Sequence, residues 1–171
     1  MKNDIKKITL SSIISALIVV LIAIGSLIDL LDITVAAVCT LAVFVIQFEI
    51  GTKYSFLVYL TSSVLSLILL PLTTSCLYYI CFFGYYPLLK RYTRRFGKRL
   101  SKVSCALLFN IVMIILMLIF KAVFALQNEP WPIYAALLVT INVFFFCFDR
   151  LMDVFPILYL RKIRNKINFF K

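Results

Sequence analysis

The sequence predicts an all-α integral membrane protein, a bundle of six transmembrane helices with both termini on the cytoplasmic side. Three observations carry this. Of the 171 residues, 64% are hydrophobic and 15% charged, with a mean hydropathy of +1.07, whereas a soluble domain averages roughly 45–50% apolar and 25% charged. The apolar residues come in unbroken runs such as 16–24 and 111–120, which suit helices and not the in–out alternation of barrel strands. Finally, 17 of the 18 Lys and Arg residues fall on one side when the chain is threaded six times through a bilayer.

A span needs about 20 apolar residues. The chain therefore holds six or seven at most, leaves no room for a soluble domain, and is read as a single membrane domain over 1–171. Polar punctuation divides it. The first helix is expected over 8–28, ending at Asp29 and Asp32. The second covers 34–48 and ends at the polar segment 49–53. The third covers 54–70 and stops at Pro71, because proline interrupts helices. The fourth covers 74–89, the fifth 103–126 and the sixth 132–158. Spans two to four are short, which local bilayer thinning tolerates. A four-span chain with neighbours merged is the alternative, and the breaks at 49–53 and 71–75 favour six.

Residues 1–7 look like the basic start of a signal peptide. No small-residue cleavage site follows the apolar run, so it is read as a retained first helix. With the N-terminus inside, the inner segments are 1–7, 49–53, 90–102 and the stretch from 149 onward. The outer loops carry Asp29, Asp32 and Glu129 without a Lys or Arg, and Lys121 near the outer end of the fifth helix is the one exception. This is the positive-inside pattern. It turns the net charge of +11 into an orientation rather than a nucleic-acid footprint. Residues 160–171 place Leu160, Ile163, Ile167 and Phe170 at helical spacing among Arg161, Lys162, Arg164 and Lys166. That pattern reads as a basic amphipathic helix on the inner membrane surface or, equally, as a frayed polar tail.

Charged and polar groups are expensive inside a bilayer, so those present are the informative ones. Ser11/Ser15 and Ser12/Ala16 in the first helix are small-xxx-small pairs, where another helix can approach closely. Ser55, Tyr59, Ser62 and Ser66 line one face of the third helix. Such a stripe either lines a polar cavity or bonds backbone carbonyls one turn back. Asn110 and Lys121 share a face of the fifth helix, and Lys121 either snorkels outward or serves an anionic ligand. Asn142, Asp149 and Asp153 share a face of the sixth. The two aspartates and Arg150 are expected to pair with each other and with the basic segment 90–102, with an intramembrane acid pair or ion pathway as a remoter reading. On the outer side Asp29, Asp32, Lys121, Glu129 and Trp131 form a candidate binding surface of acids, one cation and one indole, of the polar–apolar mix that ligand sites use.

Chemistry has little support. The five cysteines, Cys39, Cys76, Cys81, Cys105 and Cys147, lie in apolar segments without a CxxC pair, and the chain has no His. A zinc site is not expected, and the cysteines read as buried small hydrophobes. No nucleotide-binding, hydrolase or metalloprotease motif occurs. The reading is non-enzymatic, without metal or cofactor, and without nucleic acid as a partner.

The small-residue strip within residues 10–21, Leu-Ser-Ser-Ile-Ile-Ser-Ala-Leu-Ile-Val-Val-Leu, resembles the first helix of the substrate-binding S components of energy-coupling-factor (ECF) vitamin transporters. So does the build: chain size, six helices, both ends inside, an Arg- and Lys-rich inner loop. The segments 33–37, Ile-Thr-Val-Ala-Ala, and 83–90, Phe-Gly-Tyr-Tyr-Pro-Leu-Leu-Lys, are also similar to a group of small bacterial membrane proteins without assigned activity. The S-component resemblance implies a multi-pass protein of the bacterial cytoplasmic membrane. Ser12 and Ala16, at the family's Ala-x-x-x-Ala places, would contact a transmembrane coupling protein. A vitamin or similar micronutrient would be captured from outside between the first and last outer loops, with Asp29, Asp32, Ser62, Ser66, Asn110, Lys121, Glu129, Trp131 and Asn142 as candidate ligand contacts. Two separate ATPases would supply the energy. The alternative is a non-catalytic membrane scaffold that uses the Ser12/Ala16 strip, the basic loop or the tail to hold partners.

Overall fold

The computed structural model describes residues 2–28, 31–71, 73–124 and 131–159, and for 2–3, 96, 98, 120–124, 131–135 and 137 it describes the backbone alone. All regular structure among them is helical, in six segments. These are α1 (Lys2–Gly25), α2 (Asp32–Glu49), α3 (Thr52–Leu69), a broken fourth segment, α6 (Lys98–Phe124) and α7 (Trp131–Leu158). The fourth segment consists of α4 (Thr74–Tyr78), a π-helical turn (Tyr79–Phe83) and α5 (Tyr86–Thr93). α1, α2, α3 and α6 contain the four stretches among the described residues that are long and apolar enough to cross a membrane. At 1.5 Å per residue α2 and α3 are about 27 Å long, slightly under a typical hydrocarbon core of about 30 Å.

The chain forms two compact units, 1–105 and 106–171. In the first, α2 is the central helix. It packs against α1, α3, α4, the π-turn and α5, and Ala36, Ala37, Cys39 and Thr40, all buried, let neighbours come close. Between α1 and α2, Ser26 N donates to Ile22 O at 2.9 Å and Leu31 N to Ile28 O at 2.9 Å. Gly25 lies so near Val35 that an added Cβ would sit 2.9 Å from it. Only Ile50 and Gly51 separate α2 from α3. The reversal uses the positive φ of Gly51, +119°, a conformation that L-residues with a side chain rarely adopt.

α3 is inverted relative to a helix of a water-soluble bundle. In α3 the buried side is Ser55, Val58, Ser62, Ser63 and Ser66, and the exposed side includes Phe56, Leu60, Val64, Leu67 and Ile68. In α1 Ser11 and Ser15 are buried beside Ile18, Val19 and Ile22, while Ile8, Ile13, Leu17 and Val20 are exposed. Water would reverse this arrangement, whereas a hydrocarbon surrounding requires it. The helices therefore fit a membrane-embedded protein.

The fourth segment departs from the single helix expected over 74–89, and proline chemistry explains why. Pro87 has no N–H, so the carbonyl four residues earlier, Phe83 O, receives no helical bond from it. Thr40 of α2 supplies a shared donor, its Oγ1 lying 2.9 Å from Phe83 O and 3.0 Å from Ala36 O one turn back on its own helix, so that one hydroxyl proton serves both carbonyls. One turn earlier Gly84 N bypasses Ile80 O, its α-helical partner, and donates to Tyr79 O at 2.7 Å. Ile80 O accepts the Tyr59 hydroxyl of α3 at 3.0 Å. The Tyr59 ring lies directly on Gly84, where an added Cβ would be 2.5 Å from it. Around this knot Tyr79, Phe82, Phe83 and Tyr86 are completely buried. Phe82 meets Tyr86 at 5.2 Å and Phe83 edge-on at 5.5 Å between ring centroids.

The polar stretch 90–102 is largely helical rather than the loop expected. α5 runs to Thr93, a 3₁₀ turn covers Arg94–Phe96, and α6 begins at Lys98. Gly97 makes the reversal with φ +117°. Thr93 Oγ1 and Ser101 Oγ then close α5 onto the first turn of α6 at 2.8 Å. In the second unit α6 and α7 run antiparallel, since Asn110 meets Asn142 while the preceding residue Phe109 stacks on the later Phe145 at 4.5 Å.

The knot can be tested by substitution. Thr40→Val keeps the side-chain volume and strands Phe83 O, at a cost of about 1–3 kcal/mol. Thr40→Ser restores the bond, and adding Pro87→Ala to Thr40→Val returns a backbone donor and recovers part of the loss. Unfolding titrations of the four proteins in mixed micelles check this, and additive effects would count against the link. Gly84→Ala should cost about 1–3 kcal/mol through overpacking and lower the melting temperature in detergent.

Candidate functional site

The polar groups of the first unit fall into two sets. One stitches helices together. Ser15 Oγ meets Thr61 Oγ1 at 2.9 Å, joining α1 to α3. Ser55 Oγ donates to Val43 O at 3.1 Å, joining α3 to α2. Ser62 Oγ and the Tyr79 hydroxyl meet at 2.8 Å, and Ser62 also donates to Val58 O at 2.6 Å. Much of the hydroxyl stripe of α3 thus bonds backbone and neighbouring side chains, the second of the two roles open to it from sequence.

The other set gathers where α2 begins. Asp32 is the first residue of α2 and only 6% exposed. Its carboxylate sits at the positive end of the helix dipole, which favours the charge there. Ser75 of α4, completely buried, donates its hydroxyl to Asp32 Oδ1, and Tyr78 lies within electrostatic reach of the same carboxylate. Ser66 belongs at this level too. Val43 and Ser55 are bonded across the α2–α3 hairpin. Asp32 lies eleven residues before Val43, and Ser66 eleven residues after Ser55. Eleven residues make three turns to within about 20° and rise about 16 Å, so an antiparallel register brings Ser66 to about the level of Asp32. Ser66 is completely buried, and its Oγ has no hydrogen-bond partner among the described residues. A buried polar atom without a partner is uncommon enough to require a reason. Ser63 Oγ, on the same helix, and Gln47 Nε2, near the other end of α2, are orphans of the same kind.

Carboxylate, hydroxyls and phenol are mostly acceptor oxygens, and the hydroxyls also donate. Such a set takes the ammonium, amide or hydroxyl group of a ligand in a setting where every bond counts for more than in water.

The remaining expected site residues are distributed as follows. Asn110 and Asn142 belong to the second unit and bond each other reciprocally, each Nδ2 to the other's Oδ1 at 2.9 Å. Each Nδ2 also donates one turn back, Asn110 to Ala106 O and Asn142 to Leu138 O. All four amide donors are used, and the pair acts as an interhelical clasp. Lys121 and Trp131 lie on α6 and α7, but their side chains are outside what is described. Asp29, Glu129 and the segment 160–171 lie outside the described residues altogether. In α1 the two small-residue pairs separate. Ser11 and Ser15 pack inward, while Ser12 and Ala16 are exposed. Among the described residues no cluster of metal-ligand side chains occurs.

Sequence reasoning missed Thr40, Ser75 and Tyr79. The usable signals were a lone hydroxyl in an apolar helix for Thr40 and the polar run 73–75 for Ser75. Nothing local marks Tyr79.

Compared with protein-family models, with curated proteins and with solved structures, the chain matches none.

The clasp has a measurable strength. Asn110→Ala and Asn142→Ala should each destabilise the protein and together cost less than their sum. Double-mutant cycles in membrane bundles average about 0.6 kcal/mol with a maximum near 1.7, and a fully reciprocal amide pair belongs in the upper half of that range. Unfolding in mixed micelles measures the coupling; a value near zero would show that the two amides do not act as a clasp.

Proposed function

We propose that the chain is a multi-pass subunit of a bacterial cytoplasmic membrane, with its N-terminus inside, that captures a small polar molecule from outside. In this reading it resembles an ECF S component and works with a separate transmembrane coupling protein and two ATPases. The observation that supports it is the buried set at the start of α2: Asp32 bonded to Ser75, with the unpartnered Ser66 hydroxyl at the same level. An ionisable group within the spans is a functional-site hypothesis by default. The ligand class is a vitamin or similar micronutrient that presents a hydrogen-bond donor to Asp32. The chain itself is non-catalytic and carries no cofactor.

Ser12 and Ala16 are the proposed contact for the coupling protein. They are exposed among large apolar residues, Ile8, Ile13 and Leu17, where a partner helix can approach. The same exposed strip equally favours the second reading, a non-catalytic membrane scaffold.

The experiment is mass spectrometry of small molecules that co-purify with the chain, combined with pull-down of its partners. The transport reading expects a bound micronutrient, lost in Asp32→Asn and Ser66→Ala with the fold kept, and an ATPase module recovered through the wild-type strip but not through Ser12→Leu/Ala16→Leu. Recovery of a stoichiometric partner other than an ATPase module, without a bound small molecule, favours the scaffold. A chain recovered with neither partner nor ligand would sink both.

A further inference from the structure

We propose that the basic turn between α5 and α6 is a binding surface for the phosphate headgroups of anionic phospholipid, with Arg91, Arg95 and Arg99 as its contacts. Residues 90–102 carry seven Lys and Arg and no Asp or Glu. They are not a loose tail. The Gly97 reversal, the Thr93–Ser101 bond and the Ser101 N to Gly97 O bond at 3.0 Å fold the segment back on itself. The stretch 91–99 thereby confines the exposed Arg91, Arg95 and Arg99 to one compact turn. Lys90 is set apart from them, buried with its ammonium 5.6 Å from the Tyr86 ring centroid.

The helix leaving the turn identifies the kind of phosphate it meets. Along α6 the exposed residues Arg99 and Lys102 give way beyond Lys102 to Val103, Leu107, Ile111 and Ile114. An apolar surface of that kind faces acyl chains, so the guanidinium groups one turn beyond its start stand at headgroup height. Tyr92, 61% exposed beside them, is a residue type enriched at that boundary. Guanidinium forks pair bidentately with phosphate oxygens, and basic clusters next to a span attract anionic lipid. A nucleic-acid phosphate offers the same charge but nothing for the adjoining apolar surface. The surface depends on the membrane-embedded build and is independent of whether the chain carries a micronutrient.

The test uses the full chain purified in a neutral detergent and titrated with short-chain phosphatidylglycerol or phosphatidylcholine. Native mass spectrometry counts bound lipid and a thermal melt reads stabilisation. Phosphatidylglycerol is expected to bind and raise the melting temperature, and phosphatidylcholine to do neither. The triple variant Arg91→Gln/Arg95→Gln/Arg99→Gln should lose at least about ten-fold in phosphatidylglycerol affinity. Lys2→Gln/Lys6→Gln/Lys7→Gln removes the same net charge and should keep it. Equal loss in both triple variants would show a diffuse field and overturn the site. So would equal stabilisation by inorganic phosphate without lipid, or displacement of the lipid by a DNA duplex. If the arginine triple variant does not fold, the three single variants are titrated instead, and unchanged affinity in all three also overturns it.

Discussion

The architecture of the first unit turns on one missing hydrogen. Pro87 has no amide proton to give Phe83 O, and in a hydrocarbon surrounding no water is at hand to replace it. Thr40 fills the vacancy from α2. Because the donor is on another helix, a local defect becomes a tertiary bond. The π-turn one turn earlier repeats the device, with Ile80 O accepting from Tyr59 of α3. The broken segment is thus tied to both of its large neighbours through its own weak points. This accounts for the central place of α2 and for the complete burial of Tyr79, Phe82, Phe83 and Tyr86 at the knot.

The same economy governs the other hydroxyls. Each of Ser15, Ser55 and Ser62 reaches a partner on a neighbouring helix. In water such bonds would compete with solvent for little net gain. Between helices that expose leucine and isoleucine outward, they supply the specificity that the hydrophobic effect cannot, because lipid tails are as apolar as the side chains. Against this background the Ser66 hydroxyl is conspicuous. Ser55 and Ser62 on the same face are bonded across helices, whereas the Ser66 hydroxyl, like that of Ser63, has no partner among the described residues.

The helical class and the six segments were legible in the sequence, because runs such as 111–120 admit no other regular structure in a bilayer. The boundaries were less so. Hydropathy ended the fourth helix at Leu89 and began the fifth at Val103, since arginine and lysine read as loop; yet both helices continue into 90–102, because long basic side chains extend away from a helix without unwinding it. The break at 79–85 was hidden for a different reason. Pro87 was visible, but its consequence depends on Thr40, forty-seven residues earlier, and no local pattern reports such a distance. Of the candidate site, Ser62 and Ser66 were legible as polar residues within a span, and Asp32 as an acid of an outer loop that the structure makes the first residue of α2. Ser75 was not singled out, because a serine beside a proline-containing turn looks like any loop residue until its partner is known. The Asn110–Asn142 contact joins two residues that the sequence placed on the faces of separate helices for separate reasons.

The amide clasp also has a mechanical meaning. Four bonds converge on one pair of side chains midway along α6 and α7, and the stacked Phe109 and Phe145 rings lie next to it. Sliding one helix along the other by even a single residue would break the amide pairing with nothing in hydrocarbon to replace it. The pair therefore works as a detent. It holds the register of α6 against α7, so that shear between them is opposed at one point near the middle of both.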